Sequence, residues 1–176
     1  MGLKINSKYY TIVEFQHVKP GKGGAFVRYK IRDLKNSRVI DQTCNAGTKF
    51  ENVQLITKEM QYLYNDGDSY YFMDNETYEQ IPVSAEFIGD NAKWFKETDN
   101  CQLLYADTEL LGVEPPMFIE VEITETDPGF KGDTVQGGTK PATIETGAVI
   151  QVPMYLNQGE RVKVDTRDGG KFVSRI

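Results

Sequence analysis

Apolar and polar positions alternate along most of this chain, and clusters of Gly, Pro, Asn and Asp interrupt the alternation roughly every ten residues. Strand-like segments are expected at Tyr10–Phe15, Ala25–Ile31, Val39–Cys44, Val53–Ile56 and Glu59–Tyr64. Asn65-Asp66-Gly67-Asp68 reads as a hairpin turn, with Ser69–Asp74 as its return strand. Further strands are expected at Cys101–Tyr105, Met117–Ile123, Gly147–Tyr155, Glu160–Asp165 and Lys171–Arg175, with Asp168-Gly169-Gly170 turning between the last two. One helix is expected from Ser84 to about Lys96, with Gly89 as its weak point. Breaks near Tyr62 and at Asp127-Pro128-Gly129 divide the chain into three β-rich modules. Each is short enough that closure into a small barrel is the expected way to remove exposed strand edges.

Between the strand segments Tyr10–Phe15 and Ala25–Ile31 lies Lys19-Pro20-Gly21-Lys22-Gly23-Gly24. Pro20 fixes one φ, and Gly21, Gly23 and Gly24 admit backbone shapes closed to other residues. The expected product is a β-hairpin with the Lys22 amine at its tip. With no catalytic partner in the loop, Lys22 reads either as a probe reaching into another molecule's site or as a solvated loop lysine.

Composition sharpens this picture mainly through charge. The net charge of −6 is unevenly spread. Residues 1–62 hold 11 basic against 5 acidic side chains, residues 63–125 hold 2 against 15, and residues 126–176 hold 7 against 6. Lys19, Lys22, Arg28, Lys30, Arg32, Lys35 and Arg38 crowd the first third. Alternate residues of a strand share a face, so Arg28, Lys30 and Arg32 form a row beside the lysine loop. Such a row suits RNA phosphates, or it is a solvated strand face. The acidic middle is repelled by phosphate, which favours contact at one end over a protein wrapped in nucleic acid. Its many Tyr and Phe residues fit core packing better than base stacking.

Motifs for chemistry are scarce. Gly21-Lys22-Gly23 lacks the Ser/Thr of a Walker A loop, and no GxGxxG follows a strand. The single histidine, His17, reads as structural, and with only Cys44 and Cys101 it cannot build a zinc set, so no metal or cofactor is expected. Neither cysteine has a cationic setting that would make it a nucleophile. Glu120 and Glu122 fall on one strand face and read as solvated carboxylates, not as an acid/base pair facing each other across a bond. No apolar run approaches the ~20 residues of a membrane span, and Met1–Asn6 has no signal-peptide apolar region. A reduced, cytoplasmic monomer without membrane contact is expected, and no enzymatic activity.

These residues resemble the bacterial elongation factor P family over nearly the whole chain. Lys19-Pro20-Gly21-Lys22-Gly23 is similar to the family's modified-lysine hairpin. Met60-Gln61-Tyr62-Leu63-Tyr64-Asn65-Asp66-Gly67 is similar to its first domain junction, and Asp127-Pro128-Gly129-Phe130-Lys131-Gly132-Asp133-Thr134 to the opening of its third domain. The run from Lys140 to Gly159 matches the family signature of Lys, Ala, Gly, Ile, Val-Pro, Leu and Gly in spacing. The resemblance implies an all-β chain in an L-shaped, tRNA-mimicking arrangement. It places a KOW/SH3-like barrel with the lysine hairpin at 1–63, a central acidic OB-fold at 64–126 and a C-terminal OB-fold at 127–176. It implies binding to the 70S ribosome between the P and E sites, where the factor stimulates peptide-bond formation at consecutive prolines.

By the same resemblance Lys22 reaches toward the CCA end of the P-site tRNA and carries a covalent modification supplied by a lysine-modifying enzyme. β-Lysylation and aminopentanol addition both occur in the family. The similarity of Phe15-Gln16-His17-Val18 to Gram-positive members leans toward the second. Lys19, Arg28, Lys30 and Arg32 would contact RNA, Gly132-Asp133-Thr134 the mRNA at the E site, and Arg175 ribosomal RNA. Two departures are visible. The family usually carries an Asn/Asp-aromatic-Arg stretch ahead of the Gly equivalent to Gly2, so the first barrel is expected to lack its leading strand or the chain to have been shortened. Phe172 stands where the family often has Tyr, so any hydrogen bond from that phenol is absent. Two rivals of other classes are a general RNA- or single-strand-binding module, which the acidic middle disfavours, and an enzyme with Lys22 as nucleophile, which would need desolvation the loop does not offer.

Overall fold

In a computed structural model, which describes residues 1–129 and 138–176, the chain folds into three five-stranded sheets, two of them curled or barrel-like. The first holds β1 (Gly2–Ile5), β2 (Lys8–Val18), β3 (Phe26–Asp33), β4 (Val39–Asn45) and β5 (Glu51–Val53), in the order β4-β3-β2-β1-β5. The second holds β6 (Leu55–Asn65), β7 (Ser69–Asp74), β8 (Gln80–Ser84), β9 (Asn100–Ala106) and β10 (Glu109–Glu114), in the order β10-β9-β6-β7-β8. The third holds β11 (Phe118–Thr126), β12 (Thr139–Ile144), β13 (Val149–Pro153), β14 (Arg161–Asp165) and β15 (Lys171–Arg175), in the order β13-β12-β11-β14-β15. The all-β expectation therefore holds.

The chain forms two compact units, one of residues 1–58 and 103–112 and the other of 59–102 and 113–176. In the first unit, Tyr10, Tyr29 and Ile31 pack with Ile5, Ile40 and Phe50. Tyr9 and Val53 pack with Ala106 and Leu111. Glu109 joins the second group to the surface. It takes a hydrogen bond from Tyr9, and the Lys35 ammonium lies 3.1 Å from it. The Tyr9 hydrogen bond first, and Lys35 second, hold the Glu109 carboxyl below the usual carboxylate range.

In the second unit, the expected aromatic core is present. Tyr62 packs edge-on to Phe95 at 4.9 Å between ring centroids, and lies 5.6 Å from both Tyr70 and Phe72. The strictly alternating β11 sends Ile119, Val121 and Ile123 inward to meet Ile144, Ile150, Val152, Val162 and Val164. Each such side chain contributes about 1.5–3 kcal/mol of burial. Glu120 and Glu122 point the other way into solvent, opposite Lys163 and Arg161, as the alternation requires.

One turn design is used twice. Asp33 Oδ1 accepts from the backbone N–H of Lys35 and Asn36, and Asp74 Oδ1 accepts from those of Glu76 and Thr77. In both turns the fifth residue, Ser37 or Tyr78, has a positive φ and donates its N–H to the aspartate carbonyl. A carboxylate that satisfies two turn N–H groups stabilises the hairpin locally, and these two close β3–β4 and β7–β8.

The expected helix is a correction. Only Ala85–Ile88 is α-helical (α1), capped by Ser84 Oγ, which accepts from Phe87 N–H. Gly89, with φ 54° and ψ −134°, breaks the helix, and a 3-10 turn follows over Gly89–Trp94. Strands β1, β8, β10 and β12 also go beyond the sequence reading, while β7 and β15 match it in both bounds.

Two outcomes follow from this packing. Gly89 occupies a backbone region open essentially only to glycine, so Gly89→Ala is expected to cost about 1–3 kcal/mol, read as a lower midpoint in urea unfolding. Asp165 is held down to about 2, first by the Arg167 side-chain hydrogen bond and then by the Arg167 backbone N–H. A depressed carboxyl stabilises the fold above its ordinary value of about 4 and loses that contribution as pH falls through its folded value. Thermal melts at pH values stepped downward across that window should fall more steeply for the wild type than for Asp165→Asn.

Candidate functional site

β3 is the central strand of the hairpin arm. On one side β2 pairs with it from Tyr10↔Asp33 to Val18↔Phe26, and on the other β4 pairs with it from Arg32↔Val39 to Phe26↔Asn45. The Ala46 N–H donates to the Ala25 carbonyl at 3.0 Å, which carries the backbone pairing one step past Phe26↔Asn45. Residues 19–24 lie beyond the sheet, and every one of them is exposed. The Lys22 amine makes no hydrogen bond or ion pair among the described residues. The sequence expectation of a lysine at a hairpin tip is met.

The glycines of the tip differ in what the backbone asks of them. Gly23 has φ 125°, which L side chains rarely adopt. A Cβ at Gly21 or Gly24 would meet nothing within 4 Å, and neither has a left-handed φ. The proline lies within reach of the turn, its Cγ 4.0 Å from where a Gly23 Cβ would be. Gly23 is thus the position where the turn itself requires glycine.

The two faces of the arm are chemically distinct. One carries Arg28, Lys30 and Arg32 at alternate positions of β3, opposite Gln16, Glu14 and Thr11 of β2. The row is interrupted at its centre: Lys30 Nζ lies 3.0 Å from Glu14 Oε2, and Asp41 faces Lys30 from β4. The hydrogen bond to Glu14 first, then its charge, pushes the Lys30 ammonium above its ordinary value. Arg28 and Arg32 flank this pair, and both are exposed, as is Lys19.

The opposite face is apolar and open, which the sequence reading missed. Ile12, Phe15, His17, Val27, Cys44 and Phe50 line a concavity of about 330 Å³ there. Phe15 is 65% exposed and meets His17 edge-on at 6.0 Å. The signal was the cross-strand pairing of Phe15 with Tyr29 and of His17 with Val27, which only a known register reveals.

The remaining expected residues lie elsewhere. Arg175 is exposed in the second unit, and its Nη1 is 3.2 Å from Glu160 Oε1. Phe172 is half-buried against the core of the third sheet, opposite Val164. Gly132, Asp133 and Thr134 fall outside the described residues. Burial pushes the Cys101 thiol up to about 12, so it is not a thiolate nucleophile. Among the described residues no cluster of three or more His, Cys, Asp or Glu is placed to hold a metal, and no helix is long and apolar enough to cross a membrane.

Comparison with known proteins covers nearly the whole chain. Residues 1–50 match the family model "Elongation factor P (EF-P) KOW-like domain", residues 55–113 "Elongation factor P (EF-P) OB domain", and residues 119–175 "Elongation factor P, C-terminal". A protein named Elongation factor P from Caldanaerobacter subterraneus subsp. tengcongensis is 49% identical over 174 residues, covering 99% of this chain and 94% of that one. One of the same name from Alkaliphilus oremlandii is 50% identical over 173 residues, covering 98% and 93%. A solved structure titled as eukaryotic translation initiation factor 5A from Methanococcus jannaschii aligns with 64% of this chain and 86% of its own, at 21% identity and a TM-score of 0.49.

Because the exposed Lys22 amine makes no hydrogen bond or ion pair among the described residues, Lys22→Ala should unfold at the same urea midpoint as wild type, within the ~0.5 kcal/mol typical of surface substitutions.

Proposed function

The chain belongs to the elongation factor P family of translation elongation factors, and from that premise we propose that it binds the ribosome between the P and E sites and speeds peptide-bond formation at consecutive prolines. The observation that carries this reading is the Lys22 tip: a cationic side chain, without a hydrogen-bond or ion-pair partner among the described residues, held past the end of a three-stranded arm. Such a group is built to act on something outside its own fold.

The ribosome already holds the reacting groups, so the factor need supply no chemistry. Proline reacts through a ring-constrained secondary amine, and polyproline chains are stiff. Poor alignment of reacting atoms wastes much of what positioning can contribute to a rate. In this reading Lys22, lengthened by a covalent modification, contacts the CCA end of the P-site tRNA and steadies it, so that the attacking geometry is reached more often. A flexible stem with an ammonium head suits phosphate and ribose oxygens. Lys19, Arg28 and Arg32 add phosphate contacts along the arm, while Lys30, paired with Glu14, contributes less. Arg175 contacts ribosomal RNA, and Gly132, Asp133 and Thr134 the E-site mRNA. A lysine-modifying enzyme is a required partner.

The test is synthesis of a Pro-Pro-Pro peptide in a reconstituted bacterial translation system, using protein purified from its native host. Wild type should accelerate that template and leave a proline-free one unchanged, and Lys22→Ala should accelerate neither. Equal rescue by Lys22→Ala would remove the lysine from the mechanism.

A further inference from the structure

Trp94 is the only tryptophan of the chain, and it sits at the end of the 3-10 turn that follows Gly89. Its ring is half-buried against the core of the third sheet. There it lies directly on Gly170, between β14 and β15. A Cβ built on Gly170 would fall 2.3 Å from Trp94 Cη2 and 2.6 Å from Cζ3, with Ile150 Cγ2 at 3.1 Å. No side chain fits at position 170 while the indole is in place, and Gly170 also has a positive φ of 83°.

Polar contacts surround this apolar seat on the same short stretch. Lys96 Nζ donates to the Glu120 carbonyl at 2.8 Å and to Glu145 Oε1 at 3.1 Å. Glu145 Oε1 also accepts from the Glu122 N–H. Thr146 Oγ1 donates to the Lys93 carbonyl, and Asn91 Nδ2 to the Val113 carbonyl. Lys93, Trp94 and Lys96 therefore grip β11, the β12–β13 turn and the β14–β15 turn together, while Asn91 ties the same stretch to β10. All of these residues belong to the second compact unit.

We propose that Trp94, seated on Gly170, is a positioning residue that locks residues 59–102, which lie within the OB-domain match, to the C-terminal domain matched at 119–175, so that these two parts of the second unit meet the ribosome in one preset orientation. The functional half of this inference rests on the ribosome-binding reading above. Two bodies on a loose joint must be ordered at the moment of binding, which weakens affinity, whereas a preset joint removes that cost. The joint therefore controls how much factor is needed and not how fast the bound factor works. That is the opposite of the expectation for Lys22.

The experiment measures two quantities on full-length protein. The first is ¹⁵N relaxation of the free protein. Residues 59–102 and 113–176 should share one tumbling time in wild type and separate in Trp94→Ala. The second is the dependence of Pro-Pro-Pro synthesis on factor concentration. Trp94→Ala should raise the half-saturating concentration on the order of three- to tenfold and leave the saturating rate unchanged. Trp94→Phe should recover most of the difference. Gly170→Ala should raise it in the Trp94 background and raise it less once Trp94→Ala is present, because the indole clash is then gone and only the positive-φ strain and the Ile150 contact remain. Two tumbling times in wild type would overturn the lock, as would a folded Trp94→Ala with one tumbling time and unchanged half-saturation. A fall in saturating rate would overturn the assignment to binding. A single tumbling time in a wild type that accelerates nothing would leave the lock standing and reject the ribosomal reading instead.

Discussion

The pairing of β3 between β2 and β4 is the constraint on which the candidate site depends. A two-stranded hairpin alone is marginal in water, and a lysine at its tip would wander with it. Here the third strand follows β3 as far as Phe26↔Asn45, and the Ala46–Ala25 hydrogen bond reaches one step farther. Only residues 19–24 project without strand support. The arm is thereby stiff to its last pair while Lys22 keeps the freedom of its own side chain. The same register sorts charged residues onto one face and Phe15, His17, Val27 and Tyr29 onto the other.

Charge refines what that arm can do. The sequence places a net positive charge in the first third and a strongly negative one in the middle, so a polyanion is drawn to one part of the chain. Within the attractive part, the Glu14–Lys30 pair divides the cationic row, leaving Arg28 and Arg32 as separate contacts. Separate guanidinium groups suit individual phosphates better than a continuous duplex track, since each is a planar fork that binds oxygens in its own plane. This fits a protein that docks at defined points more than a general RNA binder.

Legibility followed physical cause. Alternation and strong turn signals gave Ser69–Asp74 and Lys171–Arg175 in full, and placed Lys22 at a tip. β8 and β12 contain Pro82 and Pro141, and a strand proline lacks a ladder donor and so argues against a strand. Gly112 masked β10 in the same way, and β1 has only four residues. The helix was overextended because apolar spacing continues past Gly89, where the backbone cannot. The Glu14–Lys30 pair was hidden by a register shift between Ile12 and Glu14. Trp94 on Gly170 was hidden because the two residues lie far apart in sequence and only tertiary packing joins them.

The most direct test of the account is where position 22 lies on the ribosome. A photo-crosslinker placed at Lys22, in a complex stalled on consecutive prolines with tRNA in the P site, should attach to the 3′-terminal nucleotides of that tRNA. Attachment only to ribosomal protein or to nucleotides away from the tRNA end, in a complex shown to contain the factor, would contradict it.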